Sequence, residues 1–325
     1  MITSLSIALP HRVLNNAALT IEFPEWTEAQ ILAKTGISER HISGDNEYVS
    51  DLGTVAAARL VGSVGSPPPG YLLFCTQTPD MLLPSTACLV HGRLKLPPDC
   101  GAIDLNMGCS GFVYGLSLAS ALIKSGQVKR VLLITADTYT KLLRREDKTT
   151  RTIFGDGAAA TLLAAEGNDL HAFVLGTDGR GASLLQALGS GMRKPHPGTL
   201  ETASLVMDGP ELYNFTLKAV PELIQQVCGR AGISRSEVDY FILHQANGFM
   251  LEGLRRKLGI PPERFEVSMR NYGNTVSSTI PIALREAVRE GRVLPGMRVL
   301  FAGFGVGLSW GGCLFDYNQP IAIHD

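Results

Sequence analysis

One cysteine occupies a position in which its thiol could act as a nucleophile. Cys109 lies in the run NMGCSGF (residues 106–112), between a strand predicted over 102–105 and a helix predicted over 109–124. The unpaired N–H groups and the dipole at a helix N-terminus favour negative charge, so this position predicts a thiolate. The backbone N–H of Cys109 could also stabilise an oxyanion. Without partner residues, a buried structural cysteine is the commoner explanation of such a position.

Two further polar side chains follow predicted strands or precede predicted helices. His244 comes directly after a strand predicted over 239–243, and ligands of α/β proteins bind at the carboxyl ends of strands. Asn274 lies in the run YGNT (272–275), before a helix predicted over 276–290. Each has an ordinary alternative: a hydrogen-bonded core histidine for His244, and turn chemistry beside Gly273 for Asn274. Neither residue identifies a site by itself.

A glycine-rich turn lies near the C-terminus, in the run GFGVGLSWG (303–311) between two predicted strands. A glycine-rich backbone can approach a ligand closely. The dinucleotide-binding pattern of strand, GxGxxG and helix is absent from this run, so a phosphate site is not indicated. We instead expect the turn, through the N–H of Val306, to supply a second donor to an oxyanion hole.

The elements that would position these residues alternate between apolar, β-rich runs and helical patterns. Predicted strands cover 71–75, 102–105, 130–134, 240–243 and 298–301, and the N-terminal run 1–10 is read as a first strand. This alternation is typical of an α/β fold with buried sheets. The helix over 109–124 is apolar and rich in small residues, which predicts an interior position. The region 177–210, rich in Gly, Ser and Pro, is predicted to be a long loop or flap.

The two halves of the chain resemble each other. The run YLLFCTQ from residue 71 resembles YFILHQ from residue 240 at an offset of 169, and RVLL from 130 resembles RVLF from 298 at 168. Two matches at nearly one offset predict duplicated halves, 1–165 and 166–325, although chance likeness of buried strands remains an alternative. In superposed halves Cys109 and Asn274 would occupy equivalent turns, at a shared central interface.

Composition excludes several classes of protein. Lys plus Arg number 29 and Asp plus Glu 30, so no overall field attracts nucleic acid or an anionic membrane. No apolar run reaches transmembrane length, and the N-terminus lacks the basic region of a signal peptide. The six cysteines lack the spacing of a zinc site or a disulfide framework. A cytoplasmic globular protein is therefore expected.

Together these segments closely resemble the β-ketoacyl-acyl-carrier-protein synthase III (ketosynthase III) family over nearly the whole chain. The runs KTGISERH (34–41), PS (84–85) and FGDGA (154–158) are similar to that family as well. The resemblance implies an α/β thiolase fold, in which two duplicated halves form a five-layered αβαβα sandwich, and a homodimer.

The resemblance also implies a reaction. Cys109 would take the acyl group of an acyl-CoA primer, and His244 and Asn274 would handle a malonyl thioester carried by acyl carrier protein. Loss of carbon dioxide and attack on the acyl group would give a 3-oxoacyl thioester and initiate fatty-acid synthesis, without cofactor or metal. Degradative thiolases carry a second cysteine near the C-terminal glycine turn, and elongating ketosynthases use Cys-His-His. Residues 303–307 and Asn274 match neither pattern.

The expected CoA contacts depart from the family pattern. Gln30 stands where initiating members have a tryptophan that clamps the adenine, and Lys34 and Lys148 stand where they have arginine. These changes weaken stacking and bidentate phosphate contacts. Asn247 and Phe304 are the other substrate-binding residues that the resemblance implies.

Two further departures concern carrier docking and primer length. Phe249 replaces an arginine of the docking surface, while Arg255, Arg256 and Lys257 form a nearby basic cluster whose alternative role is a solvated helix face. Leu83 stands where acetyl-selective members have a phenylalanine, contributed across the dimer to the end of the acyl pocket. The smaller side chain predicts primers longer than acetyl.

Three other functions remain open from the sequence. The chain could be a specialised relative that makes a quinolone, a polyketide or another secondary product. It could transfer an acyl group to an oxygen or nitrogen acceptor, without decarboxylation. It could also be a catalytically silent scaffold, which acylation of Cys109 would exclude.

Overall fold

Two β-sheets form the centre of the structure, a computed structural model that describes residues 1–61, 67–192 and 204–325. The strands of these ranges are β1 (Ile2–Ala8), β2 (Val13–Asn15), β3 (Glu39–His41), β4 (Tyr71–Cys75), β5 (Gly101–Leu105), β6 (Arg130–Asp137), β7 (Gly157–Ala164), β8 (Asp169–Thr177), β9 (Leu185–Leu188), β10 (Ser204–Met207), β11 (Tyr240–Leu243), β12 (Met297–Gly305), β13 (Ser309–Tyr317) and β14 (Ala322–His324). All six predicted strands are present.

Helices cover the sheets and lie between them. The α-helices of the described ranges are α1 (Asn16–Glu22), α2 (Glu28–Thr35), α3 (Val49–Val61), α4 (Thr86–Arg93), α5 (Gly111–Lys124), α6 (Lys148–Arg151), α7 (Gly209–Ala231), α8 (Gly248–Leu258) and α9 (Thr279–Arg289). Short 3-10 helices span Tyr139–Leu142, Gly179–Leu184, Arg235–Glu237, Pro262–Arg264, Met269–Asn271 and Val276–Ser278.

The two main sheets repeat one arrangement of strands. The larger sheet has the order β14-β1-β7-β6-β4-β5 and the smaller one β8-β13-β12-β11. In each, a parallel pair (β4 with β6, β11 with β12) is followed by two antiparallel neighbours. Tyr71 lies opposite Val131, and Tyr240 lies opposite Val299. The duplication predicted from the offsets is confirmed, whereas the boundary between residues 165 and 166 stays a prediction.

The sheets and helices stack in five layers. Side chains of α5 and α9 share one buried cluster with the inner faces of both sheets. The helices α3 and α4 cover the outer face of the larger sheet, and α7 and α8 cover that of the smaller one. Because both faces of each sheet are covered, the central strands read as continuous apolar runs.

The interior helix α5 has glycine where the larger sheet packs closely against it. A β-carbon on Gly115 would lie 2.6 Å from Leu133 of the larger sheet, closer than real carbon atoms approach. Phe112 and Leu116 of the same helix are fully buried between the sheets. The predicted interior position is confirmed, although α5 begins at Gly111, two residues after Cys109.

Two predictions of local structure need correction. The region 177–210 is not one long loop, because it contains a 3-10 helix and the strands β9 and β10, which pair with each other. Residues 193–203 of that region lie outside the described ranges. The helix predicted over 276–290 begins with a separate 3-10 turn, Val276–Ser278, before α9.

Candidate active site

Cys109, His244 and Asn274 line a single cavity of about 530 Å³. They come from the turn after β5, the end of β11 and the loop before α9, so residues far apart in sequence meet where the two halves join. Of the other predicted contact residues, the cavity is lined by Lys34, Asn247 and Phe304. The gathering of the three chemical side chains in one place is what their predicted roles require.

The backbone around Cys109 is packed against the C-terminal strands. Gly303 of β12 leaves no room for a side chain, because a β-carbon there would lie 2.9 Å from the carbonyl oxygen of Cys109. The hydroxyl groups of Ser110 and Ser309 are 2.7 Å apart and join the two segments. The predicted glycine-rich turn connects β12 and β13, which pair antiparallel up to Gly305 and Ser309.

Burial controls the protonation of Cys109. It raises the pKa of the thiol to about 12, and the backbone N–H groups of Val306 and of Cys109 itself lower it only in part, while Asp137 raises it further. The expectation of a resting thiolate is therefore wrong, because desolvation outweighs the N–H donors. Those donors, of Val306 and Cys109, are the pair predicted for the oxyanion hole.

His244 is held on three sides. Its backbone N–H donates to Ala302 of β12 at 2.9 Å, its Nδ1 lies 2.7 Å from the hydroxyl oxygen of Thr279, and its ring meets the Phe304 ring edge-on at 5.6 Å. Burial lowers the pKa of His244 to about 3. The imidazole is therefore neutral at physiological pH and carries one ring proton.

Asn274 is fixed through its backbone and its side chain. Its backbone N–H donates to Ile153, and it forms a parallel bridge with Phe154 of the FGDGA run. The side-chain Oδ1 accepts from the Val276 N–H at 2.9 Å, and Nδ2 donates to the Ala246 carbonyl at 3.3 Å. The donor that remains for a ligand is the second N–H of Nδ2.

The KTGISERH run packs against the segments that carry the site residues. A β-carbon on either Gly36 or Gly248 would lie 3.1 Å from the α-carbon of the other, so these glycines let α2 end against the start of α8. The buried guanidinium of Arg40 donates to Asn16 at 2.7 Å and to the carbonyl of Thr152 at 2.6 Å. These contacts hold the loop that leads to Phe154.

The sequence analysis missed an aromatic residue at the cavity. Trp26 lines it, with the ammonium group of Lys34 4.6 Å and that of Lys148 5.5 Å from the ring centroid. Gln30 does not line the cavity, because its side chain accepts hydrogen bonds from Thr27 in a capping box. Trp26 lies before Thr27, the N-cap of α2, so helical spacing does not place it beside Gln30, and only packing shows that it faces the cavity.

The remaining predicted residues lie at the surface. Leu83 is 85% exposed and does not line the cavity of its own chain. Arg255 is only 19% exposed and forms a fork with Glu252, which also accepts from Arg256. Arg256 is 76% exposed and Lys257 is exposed too, so the predicted basic cluster presents two cations rather than three.

Phe249 lies at the entrance of the cavity, where the family pattern has an arginine. It is 64% exposed and packs on Tyr213 with ring centroids 5.2 Å apart. Gly253 makes room for Tyr213, because a β-carbon there would lie 2.5 Å from the phenol oxygen. The entrance is therefore more apolar on this side than the resemblance implied.

Comparison with known proteins decides the family. The model of "3-Oxoacyl-[acyl-carrier-protein (ACP)] synthase III" matches residues 103–179, and its C-terminal counterpart matches residues 228–317. The β-ketoacyl-[acyl-carrier-protein] synthase III 2 of Halalkalibacterium halodurans is 37% identical over 323 residues, which cover 98% of this chain and 97% of the relative. The chain belongs to the 3-oxoacyl-[acyl-carrier-protein] synthase III family. It is thus an acyltransferase of the thiolase superfamily.

Solved structures of synthase III enzymes share the fold. A crystal structure of a 3-oxoacyl-(acyl-carrier-protein) synthase III matches with a TM-score of 0.93 and 44% identity, covering 97% of this chain and 99% of that one. The priming ketosynthase of the R1128 polyketide pathway matches at 0.86 with 27% identity, covering 98% and 96%. The thiolase fold is confirmed, and the lower identity to the polyketide enzyme does not favour the specialised alternative.

The described ranges contain neither a membrane-spanning helix nor a metal-binding cluster. Among the helices there, none has both the length and the apolar character needed to cross a bilayer. The same residues include no grouping of three or more His, Cys, Asp or Glu side chains that could hold a metal ion.

Proposed function

We propose that this synthase III family member condenses an acyl-CoA primer with malonyl-acyl carrier protein, with loss of carbon dioxide, to give a 3-oxoacyl-acyl carrier protein. The observation that carries the proposal is the convergence of Cys109, His244 and Asn274 on one cavity. Transfer to an oxygen or nitrogen acceptor would leave His244 and Asn274 without a role, and a silent scaffold would not need the three together.

In the first half-reaction the sulfur of Cys109 attacks the thioester carbon of acyl-CoA. The N–H groups of Cys109 and Val306, which already point at the thiol, stabilise the oxyanion. The C–S bond to CoA then breaks, and the thiol proton leaves with the CoA sulfur as free thiol. The high pKa of Cys109 makes removal of this proton part of the barrier.

In the second half-reaction a malonyl thioester occupies the same cavity. His244 and the free N–H of Asn274 donate to its thioester oxygen, where negative charge develops as the C–C bond to the carboxylate breaks. The carbanionic carbon attacks the acyl group on Cys109, and the cysteine sulfur leaves. The leaving cysteine sulfur takes up one proton from solvent and becomes a thiol again. The two thioesters and this proton balance the reaction, so we propose that it uses neither a cofactor nor a metal.

The acyl-CoA site of the proposal is built around Trp26. An adenine can stack on its indole ring, while Lys34 and Lys148 supply positive charge for phosphates. Lys148 also pairs with Glu25 at 2.8 Å, so phosphate binding would compete with that ion pair. Asn247, at the start of α8, and Phe304, beside His244, line the same cavity.

Acyl carrier protein is proposed as the second partner, and Arg256 and Lys257 as its docking contacts. Both are exposed at the C-terminal end of α8, whose first turn lies at the cavity. A carrier that presents acidic side chains and a phosphate would meet two cations there. Arg255 contributes less to this surface, because Glu252 and the Ile260 carbonyl already bind its guanidinium.

A homodimer is proposed from an apolar surface next to an open sheet edge. Met81, Leu82 and Leu83 are consecutive and exposed, at 48%, 64% and 85%. They lead into α4, whose first N–H groups bind Asp104 of the edge strand β5. Exposed apolar runs and open edges are features that association covers. In such a dimer Leu83 would enter the partner's acyl pocket, so longer primers would fit.

We also propose that the protein works in the cytoplasm. All six cysteines, which lie in the described ranges, are free thiols, and five of them are buried. Reduced cysteines of this kind are usual in the cytosol. The proposed substrates, CoA and carrier thioesters, are consistent with that compartment.

Intact-protein mass spectrometry tests the proposed function. The protein is incubated with acetyl-, butyryl- or octanoyl-CoA and then with malonyl-acyl carrier protein, beside Cys109→Ala and His244→Ala. Wild type should gain the acyl mass and lose it to the malonyl donor. Cys109→Ala should gain none, and His244→Ala should be acylated but keep the acyl group.

Each alternative predicts a different pattern. Absence of acylation in the wild type would support the silent scaffold. Discharge of the acyl group to an oxygen or nitrogen acceptor, with malonyl-carrier protein inert, would support simple acyl transfer. Unimpaired condensation by either variant would refute the assigned roles of Cys109 or His244.

A further inference from the structure

One strained residue, Val276, contacts Asn274 directly and His244 through the hydroxyl group of Thr279. Val276 is fully buried and has a φ of +55°, a conformation that β-branched residues rarely adopt. Strain of this kind persists where the surrounding structure enforces it, and it is concentrated at functional sites. Val276 follows Asn274 by two residues and precedes Thr279 by three. Its N–H contacts the Asn274 side chain, and its carbonyl contacts the Thr279 side chain.

The N–H of Val276 determines how Asn274 presents its amide. It donates to Oδ1 at 2.9 Å, so the oxygen is engaged and the NH₂ group turns toward the Ala246 carbonyl and the cavity. A flipped amide would bring the NH₂ group against the Val276 N–H, donor against donor. The turn therefore fixes Asn274 as a hydrogen-bond donor to a ligand.

The hydroxyl group of Thr279 lies within hydrogen-bond distance of both the Val276 carbonyl and the His244 ring. Oγ1 of Thr279 lies 2.7 Å from Nδ1 of His244 and 3.1 Å from the Val276 oxygen. The hydroxyl has one proton, so it donates to one of these acceptors at a time. If it donates to Nδ1, the single proton of the neutral imidazole must be on Nε2; if it donates to Val276, that proton is on Nδ1.

We propose that Thr279 is a positioning residue that selects the Nε2–H tautomer of His244 for the decarboxylation step. The proposal rests on the proposed function and deepens it. At 2.7 Å either Nδ1 or Oγ1 can be the donor; in the proposed tautomer Oγ1 donates to Nδ1 and gives up its 3.1 Å contact with the Val276 oxygen. Only this tautomer offers a proton to the thioester oxygen on which the enolate forms. A single turn of backbone thus sets both donors of the malonyl site.

Replacement of the hydroxyl separates this role from a structural one. Thr279→Val keeps the shape and burial of the side chain, and Thr279→Ser keeps the hydroxyl. We expect Thr279→Val to acylate Cys109 at the wild-type rate, while release of carbon dioxide from malonyl-acyl carrier protein falls by about 10–100-fold, by analogy with the loss of a group that orients a metal-bound histidine. Thr279→Ser should restore that release.

The tautomer itself can be observed. In protein labelled with ¹⁵N-histidine, the His244 resonances are those missing from His244→Ala. In the acylated wild type, Nδ1 should have the shift of an unprotonated ring nitrogen and Nε2 that of a protonated one, and Thr279→Val should lose this preference.

The outcomes separate the role of Thr279 from the proposed function. A protonated Nδ1 in wild type, unchanged decarboxylation in Thr279→Val, or equal losses in both half-reactions would overturn the role of Thr279 alone. A wild type that is not acylated, or does not decarboxylate the malonyl donor, would overturn the proposed function and with it this inference.

Discussion

Gly305 and Cys109 touch so closely that nothing larger than glycine fits at residue 305. A β-carbon built on Gly305 would lie 2.9 Å from both Cβ and Sγ of Cys109. The glycine-rich turn therefore does more than connect β12 to β13, because it brings the backbone of the second half against the thiol of the first. The N–H of Val306 reaches the thiol for the same reason.

The first prediction concerns this contact. Gly305→Ala should slow acylation of Cys109 by about 100-fold, since a displacement of roughly 1 Å at a reacting atom has that effect. Gly229→Ala in α7 is a matched control, because a β-carbon there meets nothing within 4 Å. Acylation is followed by mass spectrometry and folding by thermal unfolding. Normal acylation by Gly305→Ala would contradict the prediction and show that the glycine-rich turn moves to accommodate the added β-carbon.

The second prediction uses the raised pKa of Cys109. With a pKa of about 12, the thiolate fraction and the rate of alkylation by iodoacetamide should rise about tenfold for each pH unit between pH 7 and 10. Cys88→Ser removes the exposed cysteine, and Cys109→Ala identifies the labelled residue. A rate that levels off near pH 8 would mean that the helix N-terminus stabilises the thiolate after all.

The third prediction tests Trp26 as the adenine contact. Trp26→Ala should raise KM for acetyl-CoA by about tenfold, the loss expected for one base–aromatic stacking contact of roughly 1.4 kcal/mol. The value of kcat should stay unchanged, because the proposed contact of Trp26 is with the adenine and not with the thioester. Acetyl-pantetheine, which lacks the nucleotide, is the control substrate and should react equally with both proteins. A raised KM for acetyl-pantetheine would contradict the nucleotide assignment.

The fourth prediction concerns primer length. Leu83→Phe should reduce acylation from octanoyl-CoA by at least about tenfold and leave acetyl-CoA unaffected, because the larger ring shortens a pocket that the partner closes. Leu294→Phe, at another exposed leucine, is the control. Strict selectivity for acetyl-CoA in the wild type would refute the role of Leu83 outright. Size-exclusion chromatography on the same samples reports whether the dimer exists.

The fifth prediction separates the three basic residues of α8. The double variant Arg256→Glu and Lys257→Glu should raise KM for malonyl-acyl carrier protein about tenfold at low salt, with less effect at high salt. Malonyl-CoA should react as before, because it does not use the docking surface. Arg255→Ala should instead lower thermal stability, since Glu252 would lose its fork partner. An unchanged KM in the double variant would place docking elsewhere.

Much of the fold could be read from local pattern. The strands at 71–75 and 240–243 are continuous apolar runs because both faces of their sheets are covered, so they could be predicted. The offset of 169 between them reflects one repeated arrangement of strands. The interior position of α5 followed from its small residues. The region 177–210 was misread because glycine and serine are common in loops and also suit the short strands β9 and β10.

The candidate site was predicted in its membership but not in its contacts. Cys109, His244 and Asn274 carry recognisable local motifs, so their shared cavity could be anticipated, while their catalytic roles stay predictions. Trp26 was missed because the family pattern directs attention to residue 30, and only packing shows that the neighbouring turn faces the cavity. Thr279 gave no signal, since a threonine at a helix start is ordinary.

The sequence alone therefore determined the fold class, the duplication and the kind of chemistry, because these depend on periodicity and on motifs within a few residues. Only the tertiary structure decided the protonation of Cys109 and the position of Trp26 at the cavity. The same is true of the ion pair of Arg255 with Glu252 and the contact of His244 with Thr279. Each of these depends on desolvation or on a contact between segments distant in sequence, such as the turn after β5 with β12, or the segment before α2 with α6. No local pattern records the depth of burial or the meeting of such segments.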